Sequence, residues 1–239
     1  MSAPGFFYDM NMSIAILVNS CDKYADKTLP PLLLSLRQAG VRADTVFVVV
    51  GESPTHVDQT SDDEDYRVHV ALRPYVNVDN NAFVWLVESE NRTRIVDNFD
   101  WIFYTHDTTL VTPAFLANLT KMCEATAPDV VALKINKEES MSIGLYRPEA
   151  IWAVRDEIRA LKNTRPDIKQ MVKQSCEDSV FDMLAGVGTV DHMHNPLKNT
   201  APAVNAYGTD TIRILETWDA PGLIKFKANW NQGPCTCEL

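Results

Sequence analysis

Cysteine is sparse in these 239 residues, and what there is does not pair up. Cys21, Cys123 and Cys176 stand far apart, while Cys235 and Cys237 are too close for an unstrained bridge and have no second ligand pair nearby. An odd, scattered set excludes a disulfide framework and fits a reducing compartment, so a cytoplasmic location is expected. Long apolar runs are also missing: nothing approaches the ~20 residues of a membrane span. Met1 to Met12 holds Phe6, Phe7 and Tyr8 but no basic segment and no extended apolar core, so it reads as an N-terminal extension (1–12) and not as a signal peptide. Basic residues are outnumbered, with 22 Lys and Arg against 32 Asp and Glu and a formal net charge of −10. That balance excludes a duplex nucleic-acid binder, which needs a basic footprint. Internal repeats and low-complexity linkers are absent as well.

What is present is a globular composition, 46% hydrophobic and 23% charged, which excludes disorder as the main state. The chain suits one mixed α/β domain with a substantial core. Ser13 to Val18 reads as a buried strand that stops at the polar turn Asn19-Ser20-Cys21-Asp22. A helix follows from Thr28-Leu29-Pro30, with Thr28 or Asp26 as its cap and Gly40 as its end. Thr45 to Val50 is a second strand, and strand–helix–strand at these lengths implies a parallel pair with a right-handed crossover. Ser61 to Asp65 reads as a solvated acidic loop, Arg67 to Leu72 as a third strand near an edge, and Asn80 to Val96 as a helix. Further helices are expected after Pro113, Pro148, Pro166 and Ser175, with strands at Asp129 to Ile135, Ser142 to Tyr146 and Gly186 to Val190. The remainder to Leu239 reads as an irregular extension.

The stretch Asp100 to Val111 is the most telling. A run of large apolar residues, Trp101-Ile102-Phe103-Tyr104, ends abruptly in Thr105-His106-Asp107-Thr108-Thr109. A buried strand with a polar exit places that exit where open α/β sheets bind ligands, beyond the carboxyl ends of the strands. Asp107 is a hard oxygen donor on rigid structure and suits magnesium or manganese; a polar turn bonded to its own backbone is the alternative. An acidic chain that binds a diphosphate would repel it, and a bridging divalent metal is the usual remedy. Arg94 is a candidate phosphate or sugar contact, since a guanidinium grips anionic oxygens. His192 and His194 fall on one face of a strand exit and can chelate a metal. Glu177 heads the apolar face Val180, Phe181, Leu184, while Asp178, three residues after Ser175, fits a capping-box-like position. Lys225, Lys227, Trp218 and Trp230 can form an acceptor or leaving-group wall, or simply cover the core.

The succession SIAILVNSCDKYADKTLPPLLLSLRQAG, TVFVVVGE, DWIFYTHDTTLVTPAFL, SIGLYRPEAI and CEDSVFDML resembles the nucleotide-sugar glycosyltransferases of the GT-A fold, over roughly Ser13 to His194. The resemblance lies in the order and spacing of elements. It implies a mostly parallel central sheet flanked by helices, with residues 13–111 as the nucleotide-binding half and 112–239 as the acceptor half and C-terminal tail. It further implies transfer of a sugar from a nucleoside diphosphate donor, UDP-linked, to a hydroxyl on a glycan, with inversion and metal assistance. The family's Asp-x-Asp motif corresponds here to Thr105-His106-Asp107. The last Asp, the metal ligand, is kept, whereas the first, which touches ribose or metal, is Thr105. His106 can assist, though imidazole is a softer donor. By the same resemblance Asn19, Ser20 and Glu52 hold base and ribose, His194 joins Asp107 on Mn2+ or Mg2+, and Glu177 or Asp178 serves as the base. Two other readings stay open. A sugar nucleotidyltransferase would carry a Gly-rich, basic loop after the first strand, but Asn19 to Lys27 has no glycine or arginine. A non-catalytic nucleotide-sugar or glycan-binding relative is motivated by Thr105.

Overall fold

The computed structural model describes residues 12–61, 63–77, 80–135, 142–163, 179–193, 198–199, 212–218 and 221–228. Its centre is an eight-stranded sheet built from β1 (Ile14–Cys21), β2 (Val46–Gly51), β3 (Val57–Thr60), β4 (His69–Leu72), β5 (Trp101–His106), β7 (Val130–Lys134), β8 (Gly144–Tyr146) and β9 (Thr189–His192). The order across the sheet is β3-β4-β2-β1-β5-β8-β7-β9. The sheet is mostly parallel, with β3 and β8 running against the rest. The chain lays down β1, β2 and β4 in one direction and then returns to place β5 on the other side of β1. That reversal makes the gap between the carboxyl ends of β1 and β5 a topological switch point, where open α/β sheets form their ligand crevices.

Both faces of the sheet are covered, which explains why its inner strands read as continuous apolar runs. Trp101, Ile102, Phe103 and Tyr104 are all fully buried, and side chains of this size each contribute about 2–3 kcal/mol on burial. One face packs Ile16, Val18, Val48, Trp101 and Phe103 against α1 (Ala25–Gln38) and α3 (Phe115–Ala125). The other packs Leu17, Val49, Ile102 and Tyr104 against α2 (Asn81–Leu86), α4 (Pro148–Ala153), α5 (Arg155–Ala160) and α6 (Ser179–Leu184). A smaller sheet, in the order β10 (Lys198–Asn199), β11 (Ile212–Trp218), β12 (Leu223–Ala228), β6 (Thr109–Val111), sits beside the first. It is joined to the first through the two-residue turn between β5 and β6. Leu223 of β12 is buried in the α1-side core, so the two sheets share that core.

The mixed α/β expectation therefore holds, and several details differ. Strand β1 runs on through Asn19, Ser20 and Cys21, which the sequence reading put in a turn, because the backbone there pairs with Val49, Val50 and Gly51. Helix α1 begins at Ala25, earlier than the cap expected at Thr28 or Asp26, and contains Pro30 and Pro31. The expected helix from Asn80 to Val96 breaks after Leu86 and resumes as a π-helical turn at Arg92–Val96. Part of the tail read as irregular forms β11 and β12. Its short alternating runs needed β6, distant in sequence, as a pairing partner. The helix expected from Pro166 lies outside the described residues, and of the one expected from Cys176 to Ala185 residues 179–185 fall inside them, helical over Ser179–Leu184. Among the described residues no helix is long and apolar enough to cross a membrane.

Candidate functional site at the switch point

Neighbouring residues on a strand point to opposite faces, and that alternation sorts the polar residues at the ends of β1 and β5. Ser20 faces the α1 side, where its hydroxyl donates to Asp107 Oδ2 at 2.6 Å. Thr28 of α1 donates to the same oxygen at 2.7 Å. The Asp107 N–H donates to the carbonyl of Asn19 at 3.0 Å, extending the β1–β5 pairing by one bond past the strand. Asp107 is thereby held between strand and helix and is 8% exposed. Burial pushes its carboxyl above the ordinary carboxylate range, against the opposing pull of the Ser20 and Thr28 hydroxyls and the positive charge of Lys225.

Thr105 lies on the same side and is fully buried. Its hydroxyl meets that of Thr109 at 2.9 Å, and Thr109 donates to the carbonyl of His106 at 2.7 Å. Thr105 thus closes the turn from β5 into β6. An aspartate there would put a second carboxylate beside Asp107 in a buried setting, at a desolvation cost. The Thr105 hydroxyl is engaged inside the turn. His106 points the other way, with its ring edge-on to Tyr104 at 5.6 Å on the α2 side. His106 and Asp107 therefore do not converge on one point.

The α2 side of the edge holds a different set. Asn19 Oδ1 accepts the N–H of Ala82 at 3.0 Å and so ties the start of α2 to β1. Beside it, Asn81 is fully buried, and neither its Oδ1 nor its Nδ2 has a hydrogen-bond partner among the described residues. The Asn81 amide lies directly over Gly51 at the end of β2: a Cβ built on that glycine would fall 1.8 Å from Nδ2. The next residue, Glu52, adopts a left-handed φ of 57° and donates its N–H to the carbonyl of Tyr75 at 2.8 Å. A non-glycine residue in that region costs about 1–3 kcal/mol, and such strain collects at ligand sites. An unpaired buried amide costs a further ~1–3 kcal/mol, and among the described residues none supplies its partner. Cys21 lies between the two sets: burial, with Asp107 and Glu52 adding, pushes its thiol up to about 11 and so lowers its thiolate fraction at neutral pH.

Lys225 completes the α1 side from the second sheet. It is 3% exposed, and its Nζ donates to the hydroxyl of half-buried Thr108 at 2.6 Å. The family resemblance implies a divalent cation at Asp107. Of the two residues expected to hold it, His194 lies outside the described residues. Asp107 offers one buried carboxylate whose Oδ2 already accepts two hydroxyl bonds, and the charge beside it is an ammonium. Among the described residues no three His, Cys, Asp or Glu side chains converge, so a cation here would draw its remaining ligands from water and substrate phosphates.

Other expected site residues lie elsewhere. The Arg94 guanidinium is 3.7 Å from Asp58 and 3.2 Å from His69 Nε2, on the β3–β4 side of the sheet. It belongs to a charged cluster in which buried Arg73 pairs with Asp58 at 2.7 Å and Glu88 at 3.3 Å. Burial, helped by Arg94, lowers the His69 pKa, and burial raises that of Glu88. Glu177, Asp178, His194 and Trp230 lie outside the described residues. Asn81 and Thr28 were missed from sequence. The signal for Asn81 was a polar amide directly before the apolar run Ala82 to Val87.

No family profile matches the chain, and no curated protein does. Among solved structures, the chain is similar to a glycosyltransferase involved in the glycosylation of the major capsid of PBCV-1. The identity is 14% and the TM-score 0.41, over 76% of this chain and 81% of that one.

Proposed function

We propose that this protein is a glycosyltransferase that takes a nucleoside diphosphate sugar, UDP-linked, at the switch point between β1 and β5 and transfers the sugar to a hydroxyl on a glycan. The observation that carries the reading is the buried amide of Asn81 at the carboxyl edge of β2, which has no hydrogen-bond partner among the described residues. One acceptor and one donor, side by side and shielded from water, match the donor–acceptor edge of a nucleobase. Glu52 and the β1 end flank that position, as the sequence resemblance implies for the base and ribose. Asn19 and Ser20 contribute indirectly, by anchoring α2 and holding Asp107.

In this reading the base sits against Asn81 and Glu52, and the diphosphate runs across the ends of β1 and β5 toward Thr108. The acceptor hydroxyl attacks the anomeric carbon from the side opposite the diphosphate, with inversion. Glu177 or Asp178, at the start of the segment that leads into α6, takes the hydroxyl proton. His194 and a divalent cation at Asp107 belong to the same sequence-based scheme, and the environment of Asp107 argues against that cation.

The test is calorimetric titration of the full chain with uridine, guanosine, UDP and GDP, followed by incubation with UDP-sugars and measurement of released UDP. Binding of a nucleoside, weakened about tenfold in Asn81→Ala by loss of a buried amide contact, is the expected result. A chain that binds none of these compounds sinks the reading. Binding of UDP-sugar without hydrolysis or transfer favours a non-catalytic nucleotide-sugar-binding protein, the reading to which the inward-turned Asp107 also points.

A further inference from the structure

We propose that Lys225 supplies the positive charge facing the donor's diphosphate, so that donor binding and departure of the diphosphate need no divalent cation. This inference rests on the nucleotide-sugar reading above.

Three observations carry it. The first is position. β12 pairs with β6 in a register that sets Lys225 opposite Thr109, the third residue past the end of β5. The ammonium reaches back to the hydroxyl of Thr108, which is half-buried at the switch point. Lysines ordinarily bury their stems and keep the charged head in water; this one is 3% exposed and holds its charge against the turn. The second is the state of Asp107. Oδ2 of its carboxylate is held by Ser20 and Thr28 on the α1 side, and its charge acts on Lys225 as a nearby countercharge. The third is the charge of the chain. With a formal net charge of −10, a diphosphate needs a local cation to offset the repulsion. An ammonium delivered by the fold provides one without a metal. Lysine suits this task because it binds phosphate oxygens as a compact charge with rotatable donors.

The step balances without a metal. The acceptor oxygen forms a bond to the anomeric carbon as the bond from that carbon to the β-phosphate oxygen breaks. The bonding electron pair leaves with the diphosphate, whose added negative charge falls beside the Lys225 ammonium. The acceptor's proton goes to the carboxylate base.

The experiment uses UDP and uridine as probes, titrated into the full chain in EDTA and again with manganese. Wild-type chain is expected to bind UDP with the same affinity, within about twofold, in both buffers. Lys225→Met is expected to lose about tenfold or more of UDP affinity, as for a lost charged hydrogen bond, with no rescue by manganese. Lys225→Arg, which keeps the charge, is expected to retain most of it. Uridine binding unchanged in Lys225→Met shows that the variant is folded and the base site intact. If manganese tightens UDP binding to wild-type chain about tenfold, or if Lys225→Met binds UDP like wild type, the proposal is overturned and the nucleotide reading stands. If neither uridine nor UDP binds to wild-type chain, the nucleotide reading fails, and the role of Lys225 fails with it.

Discussion

Asp107 shows how differently one residue reads in a sequence and in a fold. Its position at the polar end of a buried strand was visible from the run Trp101 to Tyr104. Its partners were not, because Ser20 and Thr28 stand 87 and 79 residues away. A hydrogen bond to a buried carboxylate contributes about 1.5–3 kcal/mol. Thr28→Val, which keeps the shape and removes the donor, should therefore lower stability at neutral pH by about 2 kcal/mol, read as a shift in the urea midpoint. The pH dependence has a definite sign. Burial raises the folded pKa of Asp107, so its contribution to stability is fully present below the ordinary carboxylate value and is lost as pH rises through the folded value. A hydroxyl bonds more strongly to the anion than to the neutral acid. The Thr28→Val penalty should therefore shrink as the pH is lowered toward that range. A penalty that stays constant from neutral pH to about 4 would mean that Asp107 does not titrate in that window.

Among the elements, β2 ends and β8 begins at a glycine that a close approach requires, for different reasons. Gly51 leaves room for the Asn81 amide, and Gly144 lets β8 pack 2.5 Å, measured from a built Cβ, from the carbonyl of Leu133 in β7. Overpacking costs about 1–3 kcal/mol in either place. Gly144→Ala should lower the melting temperature while leaving the nucleoside affinity of the folded protein unchanged. Gly51→Ala should lower that affinity as well, because the added methyl displaces the amide proposed to meet the base. Equal effects of the two substitutions on affinity would remove Asn81 from the site. Helix and strand boundaries follow the same division. The run Val46 to Val50 could be read directly from its β-branched residues. The break in the expected Asn80 to Val96 helix could not, since it follows from the packing of α2 on the sheet and from Asn91 Nδ2 donating to the carbonyl of Trp85.

The whole molecule is held together by a strand that leaves one sheet and joins another. β6 follows β5 after two residues, pairs with β12, and brings Leu223 into the main core and Lys225 to the switch point. A chain ending at residue 211 would leave β6 as an unpaired edge and expose part of the α1-side core. Such a truncation should lower the melting temperature by several degrees, as expected for loss of one buried leucine and its strand pairing, and should lose diphosphate binding. Stability and UDP affinity equal to those of the full chain would show that the second sheet serves neither purpose.

Some of this was settled by the chain's composition and patterning alone. The parallel α/β character followed from apolar runs of strand length alternating with helical periodicity, because covered strands have no polar face to alternate. The lack of a basic footprint followed from the charge count. The importance of the stretch ending at Asp107 followed from an abrupt change of polarity at a strand exit. Only the tertiary structure decided what that exit is made of. It turned Asp107 inward onto Ser20 and Thr28, used Thr105 to lock the turn, separated His106 onto the opposite face, and brought Lys225 in from more than 100 residues away. The physical reason is that strand polarity is a local property of side chains. The charge balance of a buried site is a sum over groups that only folding brings within hydrogen-bonding distance.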